Sequence, residues 1–290
     1  ANHITVMGTR LYFQANDNST GFDYELWAHE TTNGSTWQVA DIYSGSTGSF
    51  PNGFVVMGTR LYFEARGDAF SGYELWAHES TNDSTWQVAD IYSGIGDGFA
   101  DHITVMGTRL YFEATCGTPQ ACTAAGVGSG FELWAHESTN DSTWQVANIA
   151  TSPTPSANVD EITVMGTRLY FQATDHSSGY ELWAHESTNG STWQVVDISS
   201  GSGYSNPSEI TVVGTRLYFE ADDGGSGREL WVHETTNGST WQAADIHSGS
   251  TGGDANDITV IGTRLYFEAD DGISGYELWM MEIDHTITYN

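Results

Sequence analysis

The 290-residue chain has 38 acidic residues against 8 basic ones, all arginine, which gives a formal net charge of −30. Such a field repels nucleic acid and anionic membrane surfaces, so we expect neither as a partner. No apolar run approaches the roughly 18 residues needed to cross a bilayer, which argues against membrane insertion.

One motif recurs along the whole chain. Gly-Thr-Arg-Leu-Tyr-Phe occurs six times, Glu-Leu-Trp follows every copy, and Thr-Trp-Gln follows five of them. In the sixth copy, Thr286-Ile287-Thr288-Tyr289 fits the last slot as a degenerate version. Repeats of this length indicate stacked structural units. We place them, as one domain, at about 1–48, 49–99, 100–157, 158–206, 207–254 and 255–290.

Each repeat predicts four short strands rich in β-branched and aromatic residues. In the fifth repeat they are Glu209–Val213, Thr215–Ala221, Arg228–Glu234 and Thr240–Ile246. Alternation places Leu217 and Phe219 on one face of the second strand and Tyr218 on the other, so both faces are apolar. Asn-Gly between the third and fourth strands favours a type I′ hairpin. A four-stranded sheet with two apolar faces packs between two neighbours, so the sequence predicts an all-β, six-bladed β-propeller of four-stranded antiparallel blades.

The repeat also resembles a known family. Glu229-Leu230-Trp231, the turn Asn237-Gly238-Ser239, and the stretch from Gly214 to Phe219 are similar to the ELWxxDGT repeat of bacterial and archaeal secreted and surface proteins. One departure is that Asn-Gly-Ser or Asn-Asp-Ser replaces the Asp-Gly-Thr turn of that family. The resemblance implies a β-propeller located outside the cell or on its surface, and it implies little about activity.

The only two cysteines, Cys116 and Cys122, lie in one loop. Their closeness predicts a local disulfide formed in an oxidising compartment. A cysteine-rich zinc site would need a second pair, which the chain lacks.

An active site needs a unique arrangement of catalytic side chains, and a residue that is repeated six times does not indicate a unique site. The Glu-Leu-Trp glutamates are interpreted as scaffold: Glu25, Glu74, Glu132, Glu181, Glu229 and Glu277. The non-repeated polar residues show no grouping along the sequence: His3, His102, His176, His247, His285, Arg66 and Arg228. We therefore assign no catalytic residue and predict that the chain is not an enzyme.

A repeated tryptophan–histidine pair on the third strand is the candidate for ligand contacts. The residues are Trp27, His29, Trp76, His78, Trp134, His136, Trp183, His185, Trp231 and His233. Aromatic platforms beside polar groups suit sugars. The alternative is that each histidine is a cross-strand partner of the nearby arginine–glutamate pair.

No cofactor is required by the sequence, but calcium is a candidate in the last two repeats. The acidic residues are Glu220, Asp222, Asp223, Glu229, Glu268, Asp270, Asp271 and Glu277. If the hairpin pairs in simple register, Glu220 and Glu229 share a face, and calcium suits such oxygen-rich loops. The alternative is a set of solvated acids in a turn.

Six Asn-x-Ser/Thr triplets are glycosylation candidates, five of them in the hairpin between the third and fourth strands. The asparagines are Asn18, Asn33, Asn82, Asn140, Asn189 and Asn237. The alternative is turn chemistry copied by duplication.

Taken together, these features favour a non-catalytic extracellular module with a structural, self-assembly or adhesion role. Its expected partners are copies of itself or cell-surface glycans and proteins. A multivalent lectin with one glycan site per blade is the alternative, and a propeller enzyme such as a glycosidase is the second alternative.

Overall fold

The computed structural model describes residues 2–16, 22–117, 130–151 and 156–283. Within these ranges every regular element is a β-strand, which confirms the all-β prediction. With no helix among them, the described residues contain no helical candidate for a membrane span. The chain divides into two compact units, Ala1–Asn158 and Val159–Asn290.

The first unit contains three four-stranded antiparallel sheets, each formed by consecutive strands. The strands are β1 (Asn2–Met7), β2 (Arg10–Asn16), β3 (Tyr24–Glu30), β4 (Thr36–Ala40), β5 (Asn52–Met57), β6 (Arg60–Asp68), β7 (Ser71–Glu79), β8 (Ser84–Ala89), β9 (Asp101–Met106), β10 (Arg109–Thr115), β11 (Phe131–Glu137) and β12 (Ser142–Ala147).

The second unit contains two four-stranded sheets and one sheet whose described part has three strands. The strands are β13 (Asp160–Met165), β14 (Arg168–Thr174), β15 (Tyr180–Glu186), β16 (Ser191–Val196), β17 (Ser208–Val213), β18 (Arg216–Asp222), β19 (Arg228–Glu234), β20 (Ser239–Ala244), β21 (Asn256–Ile261), β22 (Arg264–Asp270) and β23 (Tyr276–Glu282). The predicted final strand around 286–289 lies outside the described residues.

Neighbouring sheets within a unit pack face to face, and both faces of a middle sheet are buried. In the fifth repeat, Leu217 and Phe219 join the cluster of the preceding sheet. Tyr218 and Leu230 instead join the cluster that contains Ile258 of the following sheet. The predicted assignment of faces is therefore confirmed, because side chains alternate along a strand.

The hairpin between the third and fourth strands differs from the predicted type I′ turn. That turn needs positive φ at both central residues. In the first repeat Gly34 has φ of 73°, whereas Asn33 is not among the residues with positive φ. The amide of Gly34 donates to the carbonyl of Glu30 at 2.9 Å, which closes a longer turn. The type I′ prediction is wrong because the strand pairing ends at Glu30 opposite Ser35, so four residues rather than two form the loop.

We expect Leu75→Ala to lower the free energy of unfolding by about 2–5 kcal/mol, because it empties a fully packed position. Leu75 is 0% exposed and belongs to the cluster between the second and third sheets. Ile95→Ala is the matched control, since Ile95 is 78% exposed. Urea unfolding of both variants measures the difference, and equal losses would contradict the assigned core.

Candidate functional site

In five repeats, the glutamate of the Glu-Leu-Trp motif holds the segment that follows the fourth strand of its sheet. Glu74 is 0% exposed. Its carboxylate accepts hydrogen bonds from the backbone amides of Ile91 at 2.7 Å, Tyr92 at 3.2 Å and Gly98 at 3.2 Å. All three donors lie between β8 and β9, so the side chain fixes the path into the next sheet.

The same bond recurs in the other repeats whose connecting segment is described. Glu25, Glu132, Glu181 and Glu229 each accept backbone N–H groups from the segment after their own fourth strand. Glu277, by contrast, is exposed, and the segment after its sheet lies outside the described residues. The interpretation of these glutamates as scaffold therefore has a geometric basis in five repeats.

Burial makes these carboxyls unusually basic. Desolvation raises the pKa of Glu74 and of Glu132 to about 8, against the opposing effect of the amide donors. It also raises the pKa of Glu25, Glu181 and Glu229. Burial disfavours a charged carboxylate more than these hydrogen bonds favour it.

The repeated arginine of the second strand is likewise bonded to its own sheet. The guanidinium of Arg60 lies 5.6 Å from the ring centroid of Trp86, and its Nε is 3.5 Å from the Glu79 carboxylate. Its Nη1 donates to the hydroxyl of Tyr62 at 3.3 Å. Equivalent arginine–tryptophan contacts occur at Arg10, Arg109, Arg168 and Arg216.

The arginine also explains why two hairpins carry aspartate in place of glycine. Arg10 lies 3.5 Å from the carboxylate of Asp83, and Arg60 lies 3.8 Å from that of Asp141, each on the hairpin of the following sheet. Both aspartates hold the left-handed conformation that glycine holds elsewhere, with φ of 54° and 53°. The aspartate in the middle of these two Asn-x-Ser triplets thus has an ion-pair explanation.

The repeated histidines lie inside the packing between sheets. Nδ1 of His78 is 3.0 Å from the hydroxyl of Thr85 on the next strand, and its ring centroid is 5.4 Å from that of Tyr12 in the preceding sheet. His78, His136, His185 and His233 are all buried, and His29 is half-buried. Their cross-strand partner is a threonine, where the sequence suggested the arginine–glutamate pair.

The third-strand tryptophans are also largely used in packing. Trp134 and Trp183 are 6% and 8% exposed, whereas Trp27, Trp76 and Trp231 are half-buried. A sugar stacks on an open aromatic face. The proposed lectin contacts therefore lack an open platform at Trp134 and Trp183, and the four buried histidines beside the tryptophans add none.

The predicted calcium residues of the fifth repeat are not brought together. The register pairs Glu220 with Leu230 and Ala221 with Glu229, so Glu220 and Glu229 lie on opposite faces. The prediction that they share a face is wrong, because the loop closes with Asp222 opposite Arg228. Glu220 forms an ion pair with Arg228, and Glu229 holds the connecting segment.

The remaining acids of that proposed site shape turns. The carboxylate of Asp222 accepts the amide of Gly224 at 2.7 Å, and that of Asp223 accepts the amide of Ser226 at 2.7 Å. Asp270 and Asp271 do the same in the sixth repeat. There, Glu268 pairs with Leu278 and Ala269 pairs with Glu277, so these glutamates also lie on opposite faces. Calcium binding stays a prediction.

The five hairpin asparagines occupy equivalent exposed positions. The Oδ1 atom of Asn33 accepts the amide and the hydroxyl of Ser35 at 2.9 and 2.7 Å. The same contact recurs at Asn82, Asn140, Asn189 and, through the amide alone, Asn237. Asn18 lies outside the described residues. Glycosylation stays a prediction at all six.

The predicted disulfide falls partly outside the described residues. Cys116 is 4% exposed and joins the cluster between the second and third sheets. Cys122 lies in the segment 118–129, which is not described. The Cys116–Cys122 bond stays a prediction.

Sequence reasoning missed a cavity of about 310 Å3 in the first unit. Two of the non-repeated histidines, His3 and His102, line it together with Asp101, Gly53 and Thr5. The two histidines are the second residues of β1 and β9, which lie on either side of β5. Residues far apart in sequence thus line one cavity at one end of three neighbouring first strands. Comparing the second residue of each first strand across repeats would have singled them out.

The other non-repeated polar residues lie apart from this cavity. The guanidinium of Arg66 lies 5.2 Å from the ring centroid of Tyr43, and Arg228 is paired with Glu220. His176 and His247 lie in segments that connect strands of the second unit, and His285 is outside the described residues.

One acidic group also has converging ligand atoms. Oxygens of Asp23, Glu25 and Asp41 lie within 4.8 Å of one another. Glu25 already accepts four hydrogen bonds from Ile42, Tyr43 and Ser49, so we interpret this group as part of the framework.

No protein-family profile and no curated protein matches this sequence. Several solved structures share its fold. A prolyl endopeptidase aligns with a TM-score of 0.64 at 13% identity, over 92% of this chain and 39% of the other. An oligogalacturonate lyase from Vibrio parahaemolyticus aligns with a TM-score of 0.54 at 8% identity, over 95% and 72% of the two chains.

The β-propeller domain of the Trilobed protease from Pyrococcus furiosus, described as having an open velcro topology, aligns with a TM-score of 0.50. Its identity is 10%, over 96% of this chain and 78% of the other. At such identities the likeness supports a β-propeller fold and nothing about activity. The chain spans only about two-fifths of the prolyl endopeptidase it matches.

We expect the melting temperature to fall as the pH rises from 5 to 9. A carboxyl whose pKa is raised by folding stabilises the fold below its ordinary pKa of 4.5, and this contribution is lost as the pH rises through about 8. The double variant Glu74→Gln/Glu132→Gln should show a shallower fall, because glutamine does not ionise.

Glu30→Gln is the control for this experiment. Hydrogen bonding, chiefly from the backbone N–H of Thr32, lowers the pKa of Glu30 to about 2, so it stays ionised throughout the tested range. Calorimetry should give it the wild-type slope. Equal slopes for the double variant and the wild type would contradict the role of the buried carboxyls.

Proposed function

We propose that the chain is a six-bladed β-propeller that acts as a non-catalytic extracellular surface module, structural or adhesive in role. The observation that carries this proposal is that the repeated ionisable side chains are bonded to their own framework. The glutamate holds a connecting segment, the histidine lies between sheets, and the arginine stacks on a tryptophan. General acid–base catalysis requires a group that can reach a substrate, and these groups face the interior of the sheets or one another.

The ends of the described chain support the six-bladed arrangement. Leu278 of the last sheet is 77% exposed, whereas Leu230 at the same position of the preceding sheet is fully buried. Ile261 and Met280 on the same sheet are 64% and 47% exposed. The residues on this face are of the same types that the preceding sheets bury against the next sheet. Contiguous exposed apolar surface of this kind indicates a contact site.

The first sheet also has exposed apolar side chains. Ile4 and Val6 of β1 are 61% and 64% exposed. Their counterparts in the third sheet, Ile103 and Val105, pack against the sheet before them. We propose that these exposed faces are covered in the complete six-bladed arrangement, because a face of this composition is buried in the other sheets. Each sheet would then have two neighbours, as the blades of a propeller do.

We expect Leu278→Asp to lower the melting temperature by about 5 °C or more, because it would bury an unpaired charge in the proposed contact. Ile273→Asp is the control, since Ile273 is 91% exposed in the loop of the same hairpin. Calorimetry and light scattering are run on the wild type and both variants. An unchanged melting temperature in Leu278→Asp would contradict ring closure. If the wild type is an oligomer and Leu278→Asp is a monomer, the exposed face mediates head-to-tail assembly of separate chains instead.

The functional part is tested by imaging and binding. Labelled chain applied to cell envelopes of the native source should bind saturably, and panels of glycoside and peptide substrates should show no turnover. A glycan array distinguishes the lectin, for which we expect saturable binding of about one sugar per blade. Turnover that His102→Ala abolishes would overturn the non-catalytic assignment, since His102 is non-repeated and lines the cavity.

A further inference from the structure

The first strands carry one position at which the repeats differ in chemistry. In β1 the register passes from Asn2 opposite Gln14 to Thr5 opposite Tyr12, which leaves two residues opposite one. This β-bulge recurs in the other sheets, and bulges re-aim side chains. The first bulged residue is His3, Gly53, His102, Glu161, Glu209 and Asp257 in successive repeats.

All six of these residues have positive φ, between 51° and 64°. Glycine adopts this conformation without strain, yet only Gly53 uses it. The five others retain a side chain in a strained conformation, and such strain is common at functional sites. The surrounding framework is nearly identical between repeats, so the framework does not require histidine at two of these positions.

In the first unit the order is histidine, glycine, histidine. Gly53 lies between the two histidines and a Cβ built on it would meet only Ile103, at 4.0 Å, so the space above it is open. His3 and His102 are exposed, as is Asp101, whose carboxylate accepts the amide of His102 at 2.9 Å. Two imidazoles and one carboxylate thus line one cavity with room at its centre.

This donor set suits a particular class of ligand. Imidazole with carboxylate favours borderline divalent metals such as zinc, whereas calcium and magnesium prefer oxygen ligands alone. The formal charge of −30 raises the local concentration of cations and disfavours an anionic ligand. The ligand atoms of these three side chains do not all lie within 4.8 Å of one another. Metal binding therefore requires rotation of the exposed side chains.

We propose that His3 and His102, with Asp101, form a zinc site across Gly53 at the start of the first strands of the first unit. The imidazole nitrogens and the carboxylate are the ligands, and water completes the coordination sphere. The site is independent of the proposed function, because it uses none of the repeated framework residues.

The test is calorimetric titration of the full chain, prepared without a histidine tag, with zinc chloride. We expect one zinc ion per chain, with His3→Ala and His102→Ala each weakening binding by on the order of tenfold or more, since even the loss of an outer partner of a ligand costs that much. His247→Ala, in the second unit, is the matched control and should bind as the wild type does. Calcium and magnesium should not compete at equal concentration.

Two results would overturn the proposal. Wild-type affinity in both histidine variants would place the zinc elsewhere. Competition by calcium equal to that of zinc would show binding to surface carboxylates only. His3 and His102 are exposed, and a cooperative melting transition of each alanine variant without zinc confirms that the variants are folded.

Discussion

The buried glutamate of the third strand is the interaction on which the succession of sheets depends. A carboxyl group such as that of Glu74, fully removed from water, needs hydrogen-bond donors, and the amides of a buried connecting segment need acceptors. Their mutual satisfaction fixes where the next first strand begins, and therefore how the next sheet lies on the present one.

The raised pKa of these glutamates changes how the large negative charge should be understood. Burial moves the pKa of Glu74 and Glu132 to about 8, so near neutrality these two groups add less to the repulsion than their formal charge suggests. Other acids are ion-paired or bonded to amides, as Glu79 is to Arg60 and Asp223 is to Ser226. The acidic composition thus serves the interior and the turns as well as the surface.

The strands and their buried faces could be predicted from the sequence because the alternation of side chains along a strand is a local property. The predicted fifth-repeat strand Arg228–Glu234 matches β19, and the split between Leu217 and Tyr218 is as expected. The pairing register of neighbouring strands could not be predicted, because it depends on which residues close the loop between them. A shift of one residue moves every side chain of a strand to the other face of the sheet. That shift separated Glu220 from Glu229. The sequence marks His3 and His102 as residues at which the repeats differ, but that they line one cavity depends on the packing of separate sheets.

Duplication of the repeat explains why metal-binding residue types occur at the β-bulge of the first strands. A residue that holds the framework, such as Glu74 or Arg60, makes the same contacts in five of the copies. At the first bulged residue of each first strand the residue type differs between the copies, while the backbone keeps its strained conformation. The first unit carries imidazoles there and the second unit carries carboxylates. These donors favour different cations, borderline metals for imidazole and hard ions for carboxylate. Among the described residues, whose repeated polar groups are engaged in the fold, we expect specificity to arise at positions of this kind, where the copies have diverged.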